Sequence, residues 1–123
     1  IISNSEFKLL PSVKEFIQMY NNQFLMGIAS SGSRETITIA LKTLGIYHYF
    51  KHILCTEDVS RSKPSPEIFL KIWSLENFPK NECLIFEDSQ NGIKASKEAK
   101  IPCIDVTIYP FNILLEKFKS IHE

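Results

Sequence analysis

At 123 residues the chain suits one compact domain, and its 44% hydrophobic share supplies a core of ordinary size. Fourteen basic residues balance fourteen acidic ones, so no global field draws the chain to nucleic acid or anionic lipid. No apolar run approaches the roughly 20 residues of a membrane helix and no secretory signal is visible, which points to the cytoplasm. The first residue is Ile1 rather than Met, as in a piece of a longer chain or a processed product.

Val13, Phe16, Ile17 and Tyr20 recur with the period of a helix face, and Ser12 is its expected N-cap. Phe24 to Ala29 is an apolar run too short for a helix and reads as a buried strand. Helical spacing returns from Arg34 to Leu44 through Ile37, Ala40 and Leu41, with Gly45 as the stop. A short strand at Ile53 to Cys55 precedes a polar loop and a helix from about Pro66, with Phe69, Ile72 and Leu75 turned inward. Cys83 to Phe86 reads as a third strand and Ser89 to Ala99 as its helix. Pro102 to Val106 reads as a fourth strand, and a terminal helix carries Ile113, Leu114, Phe118 and Ile121. Cys55, Cys83 and Cys103 sit in or beside apolar runs, as free thiols packed like small hydrophobes.

Strands alternating with helices imply an α/β fold with a doubly wound parallel sheet, whose ligands bind at the carboxyl ends of the strands. Three such ends carry polar groups. Ala29-Ser30-Ser31-Gly32-Ser33-Arg34 puts a hydroxyl at a strand tip before a helix, where amides and the helix dipole favour an anion. Ser62-Lys63-Pro64-Ser65-Pro66 holds an ammonium between prolines, suited to phosphate charge or a carboxylate. Glu87-Asp88 ends an apolar strand with two carboxylates, whose mutual repulsion a hard cation such as magnesium removes. Each has a plainer reading alone: a helix cap, a solvated lysine, a pair of first-turn acids. Their order at successive strand ends directs all of them to one edge of the sheet.

The segments IASSGSRE, SRSKPSPEIF and LIFEDSQNGIKAS resemble the second, third and fourth motifs of the haloacid dehalogenase (HAD) superfamily. The likeness is greatest to the branch containing beta-phosphoglucomutase and phosphoglycolate phosphatase, and runs from about Pro11 to Val106. The resemblance implies a Rossmann-like core in which Ser30, Ser31 and Gly32 cradle a phosphoryl group. Lys63 would bridge that group and the nucleophile, and Glu87 and Asp88 would help hold Mg2+. True haloacid dehalogenases need no metal and lack this acid pair, so the pair favours phosphoryl transfer on a small phosphorylated metabolite.

Two departures matter. Lys100 stands where the family usually has glycine: either lysine takes a left-handed cap at a cost of about 1 kcal/mol, or the helix ends differently. The family also opens with a DxDGT-like segment carrying the aspartate nucleophile and an acid/base, whereas Asp58, Asp88 and Asp105 are the only aspartates here and none lies in such a motif. The expectation is a HAD core at 11–123, preceded at 1–10 by a remnant of the helical cap or a linker. It would lack its central first strand, leaving a gap between the strands ending at Ala29 and Phe86 or forcing those strands together. An amino-terminal segment or a second copy would fill that gap. On its own the chain should be inactive. The alternative is a degenerate module that binds phosphate or a protein without catalysis. A receiver-like signalling domain fits less well, since neither Asp58 nor Asp105 has an acidic pocket around it.

Overall fold

The structure, a computed structural model, describes residues 2–4 and 12–122, with side chains for 12–118. The alternating pattern folds as α1 (Val13–Tyr20), β2 (Met26–Ser30), α2 (Arg34–Thr43), β3 (Phe50–Leu54), α3 (Glu67–Ser74), β4 (Ile85–Glu87), α4 (Gln90–Ala99), β5 (Cys103–Asp105) and α5 (Phe111–His122). A further strand, β1 (Ile2–Asn4), precedes them. All pairings are parallel, in the order β3-β2-β1-β4-β5.

Alternation along each strand divides the core between two faces. Ile28 and Phe86 pack with Phe16, Ile17, Ile37, Leu41 and Leu114 under α1, α2 and α5. Ala29 and Ile85 pack with Ile68, Phe69, Ala95 and Ala99 under α3 and α4. Helices on both faces make this the doubly wound sheet read from the sequence.

The slot between β2 and β4 is not open. Ile2 lies opposite both Ile28 and Phe86, Ser3 opposite Ala29 and Glu87, and Asn4 opposite Ser30. β3 and β5 cover only the outer edges of β2 and β4, so each keeps an inner row of backbone groups that needs partners. A three-residue strand answers part of both rows, although its own sequence reads as neither strand nor helix. The expected gap is thus corrected, because residues assigned to a remnant or linker sit in it. The rest of that segment, residue 1 and residues 5–10, lies outside the described residues.

Smaller differences have local causes. Ser12 takes a left-handed backbone, φ 68°, and makes no capping hydrogen bond to α1. β2 starts at Met26, leaving Phe24 and Leu25 exposed. Leu75 is 50% exposed because α3 stops at Ser74, before its face could carry that residue inward. In α5 Leu114 is buried and Ile113 exposed, while the side chain of Ile121 lies outside the described residues. Gly45 ends α2 with φ +72°, as its position predicted. Cys55 is buried, whereas Cys83 and Cys103 are half-buried, and burial raises the pKa of all three thiols.

Lys100 does take the left-handed cap, at φ 61° and ψ 38°. Replacing it with glycine should therefore raise stability by about 1 kcal/mol, less the added freedom of the unfolded chain. The check is a higher urea midpoint at unchanged slope. A lower midpoint would mean that the lysine side chain contributes more than its backbone costs.

Candidate active site at the carboxyl ends of the strands

β2 delivers Ser30 to the upper edge of the sheet, fully buried. Its Oγ accepts from the amide of Gly32 at 3.0 Å, which closes the Ser30-Ser31-Gly32 turn into α2. A Cβ at position 32 would stand 3.1 Å from Ile37 Cδ1, so a side chain there would need that methyl to give by a few tenths of an ångström. The start of α2 is more committed than its sequence implies. Ser33 Oγ accepts from the Thr36 amide at 3.2 Å, and both oxygens of Glu57 accept from the Arg34 amide at 3.0 Å.

Glu87 ends β4 and is fully buried. Its Oε1 accepts from the Asp88 amide at 3.0 Å, the Ser89 amide at 3.1 Å and Ser89 Oγ at 3.0 Å. Ser89 also caps α4 as expected, since its Oγ accepts from the Gly92 amide at 3.0 Å. Gly92 leaves the space in which the Glu87 carboxylate lies, because a Cβ there would stand 1.9 Å from Glu87 Cδ.

Lys63 joins the two strands. Its ammonium lies 3.3 Å from the Ala29 carbonyl of β2 and 3.4 Å from Glu87 Oε2 of β4, with the side chain only 5% exposed. The ring of Phe69, 5.4 Å away at its centroid, adds a cation–π contact. Burial lowers the pKa of Lys63, and the Glu87 carboxylate opposes that shift. Ser30, Ser31, Thr56, Ser62 and Lys63 line one small depression, so hydroxyls and ammonium face the same space.

Asp88 is the unfinished group. Its Oδ1 is buried and accepts no hydrogen bond from any described residue. Burial first, then the adjacent Glu87 carboxylate, pushes its pKa up to about 6. An oxygen-only pair with one buried acceptor unsatisfied fits a hard divalent cation. Among the described residues, however, no group of three or more His, Cys, Asp or Glu side chains is placed to hold a metal. Glu87 and Asp88 could therefore form only part of such a shell.

All the residues singled out from the sequence thus converge on one edge. The Ala29 carbonyl, Phe69 and Gly92 also belong to the site, without being marked as such by the sequence motifs. A main-chain acceptor leaves no sequence signal, and Phe69 shows only as a core position. The glycine two positions beyond Ser89-Gln90 was the one available cue.

The family model for haloacid dehalogenase-like hydrolases matches residues 2–106. The chain belongs to that family. It is 33% identical over 101 residues to the chloroplastic 5-amino-6-(5-phospho-D-ribitylamino)uracil phosphatase of Arabidopsis thaliana, covering 81% of this chain and 27% of that protein. A Thermotoga maritima structure assigned as a beta-phosphoglucomutase superposes with TM-score 0.70 at 28% identity, covering 74% of this chain and 43% of the other. The Bacillus subtilis protein YfnB, assigned to the HAD hydrolases and bound to magnesium, superposes with TM-score 0.71 at 26% identity, covering 78% and 43%. The HAD chain described here therefore spans less than half the length of each.

A concavity of about 610 Å³, lined by described residues, lies at the opposite edge of the sheet. Its apolar walls include Phe16, Tyr20, Met26, Ile72, Trp73 and Phe86. It shares no residue with the Ser30–Lys63 depression. No described helix is long and apolar enough to cross a membrane.

Proposed function

We propose that this chain is the core of a magnesium-dependent phosphatase or phosphomutase that acts on a small phosphorylated metabolite in the cytoplasm. The observation that carries the reading is the Lys63 ammonium, held at 3.3 Å from the strand that ends in Ser30 and at 3.4 Å from Glu87. A phosphoryl group passes through a transition state whose charge spreads over its equatorial oxygens, so fixed donors matter more than covalent chemistry. Ser30, Ser31 and Gly32 hold those oxygens, Lys63 neutralises them, and Glu87 keeps Lys63 aimed. Glu87 and Asp88 would contribute to holding Mg2+, which when bound neutralises phosphate charge.

Turnover through an aspartyl-phosphate needs a carboxylate that none of Asp58, Asp88 and Asp105 supplies from a DxDGT-like segment. We take residues 11–123 as the core domain, to which Ile2–Asn4 adds a middle strand. The nucleophile comes from an amino-terminal segment in the complete protein. A second copy could lend a strand, but it would carry the same three aspartates and no nucleophile. Ile2–Asn4 spans β2 only from Ile28 to Ser30, and the groove beneath leaves room for a longer strand.

The test compares two chains on p-nitrophenyl phosphate with magnesium. The 123-residue chain should show no turnover, since loss of a nucleophile costs about 10⁶-fold in one well-studied protease. A chain extended by a DxDGT-bearing segment should turn over, and Lys63→Ala should abolish that activity. Turnover by the short chain would overturn the assignment of the nucleophile. An inactive extended chain that still binds phosphate would favour the non-catalytic module.

A further inference from the structure

Lys63 lies in a stretch, residues 59–66, that contains no helix or strand. Half of that stretch is exposed, yet it must keep one long side chain buried at a fixed point. Displacing a catalytic group by about 1 Å can cost up to 100-fold in rate, so the loop needs anchors on both sides of the lysine.

On the far side the anchors are local. The Ser65 amide donates to the Ser62 carbonyl at 3.0 Å, and the Glu67 amide to Ser65 Oγ at 3.3 Å. On the near side two consecutive amides turn to a single carboxylate. Ser60 donates to Glu67 Oε2 at 2.7 Å and Arg61 to Glu67 Oε1 at 3.2 Å. One turn further along α3, Lys71 donates to the Asp58 carbonyl at 2.6 Å and lies 3.7 Å from Glu67 Oε2. Glu67 itself opens α3, whose next residues, Ile68 and Phe69, are buried in the core. One side chain therefore ties the entry of the loop to its exit, on a helix turn that also carries the ring beneath the Lys63 ammonium.

We propose that Glu67 is a positioning residue for Lys63, acting through a two-pronged carboxylate clamp on the Ser60 and Arg61 amides. Charge-assisted bonds to backbone amides are stronger than neutral ones, and two from adjacent residues fix orientation as well as distance. The ordinary role of a first-turn acid, favouring the helix dipole, would need neither amide. The claim rests on the phosphoryl-transfer reading only for what Lys63 does; the clamp can be tested without it.

Glu67→Asp separates the two roles, because it keeps the charge at the start of α3 while withdrawing the carboxylate by one methylene. In the 123-residue chain, hydrogen exchange at the Ser60 and Arg61 amides should quicken about tenfold or more in Glu67→Asp and Glu67→Ala. The nuclear Overhauser contact between the Lys63 ε-methylene and the Phe69 ring should weaken with it, while α3 amides stay protected. Glu67→Gln, which keeps one oxygen within reach, should retain that contact. Unchanged amide exchange and an unchanged Lys63–Phe69 contact in Glu67→Asp would overturn the clamp. Inorganic phosphate with magnesium provides a separate readout, for which Glu67→Asp should weaken binding about tenfold. Should the unaltered chain bind no phosphate while the amide and ring readouts shift as stated, the clamp stands and the phosphoryl-transfer reading falls.

Discussion

Replacing Asp88 with asparagine should make the metal-free chain more stable at pH 7, by about 2 kcal/mol, rather than less. Burial and the Glu87 carboxylate raise the folded-state pKa of Asp88 from 3.8 to about 6. Between those values the folded chain holds a proton that the unfolded chain has released. Stability is therefore fully present below pH 4 and is lost as pH rises towards 6. Asparagine has no proton to lose, so the variant should lack this decline and match the parent only in acid. Magnesium should restore the parent above pH 6 by binding the folded form, and leave the variant's melting temperature unmoved. Thermal melts from pH 3.5 to 7.5, with magnesium and without, give the answer. A variant less stable than the parent at pH 7 would mean that the carboxylate of Asp88 is already compensated without a cation.

Gly92→Ala should be more damaging than any surface change. Alanine normally stabilises a helix interior by up to about 1 kcal/mol over glycine. Here the added carbon would sit 1.9 Å from Glu87 Cδ and 2.0 Å from its Oε2. The carboxylate cannot retreat cheaply, since its oxygens already accept from two amides, a hydroxyl and the Lys63 ammonium. Displacing a buried charge from its partners costs about 3–5 kcal/mol, which outweighs the gain in propensity. Urea unfolding should show a net loss of at least about 2 kcal/mol. A variant as stable as the parent would mean that Glu87 has another comfortable position.

Most of the fold was legible because its signal is periodic. The face Val13, Phe16, Ile17 and Tyr20 is buried as one stripe, and the core strands alternate between two helical layers. Ser30, Lys63, Glu87 and Asp88 could be read together because polar residues that end apolar strands of a parallel sheet fall on the same edge. β1 could not be read in this way. Ile2–Asn4 is a strand because β2 and β4 present backbone on either side, a cause that lies in distant residues and not in its own. Ser12 was misjudged because a capping hydroxyl works only from extended backbone, and its φ is 68°. Glu67 hid for a related reason: as a first-turn acid it has an ordinary explanation, and its amide partners lie in a loop without periodicity.

The thinness of β1 has a mechanical side. Neighbouring parallel strands stand about 4.8 Å apart, so one intervening strand keeps β2 and β4 about 9.6 Å from each other. Ser30 rides on one of those rails and Glu87 on the other, with the Lys63 ammonium as the tie across the top. The gauge of the whole track is thus set by a sleeper only three residues long. Any polypeptide that pairs in its place will keep the same gauge, because the spacing is fixed by backbone hydrogen bonds and not by side chains.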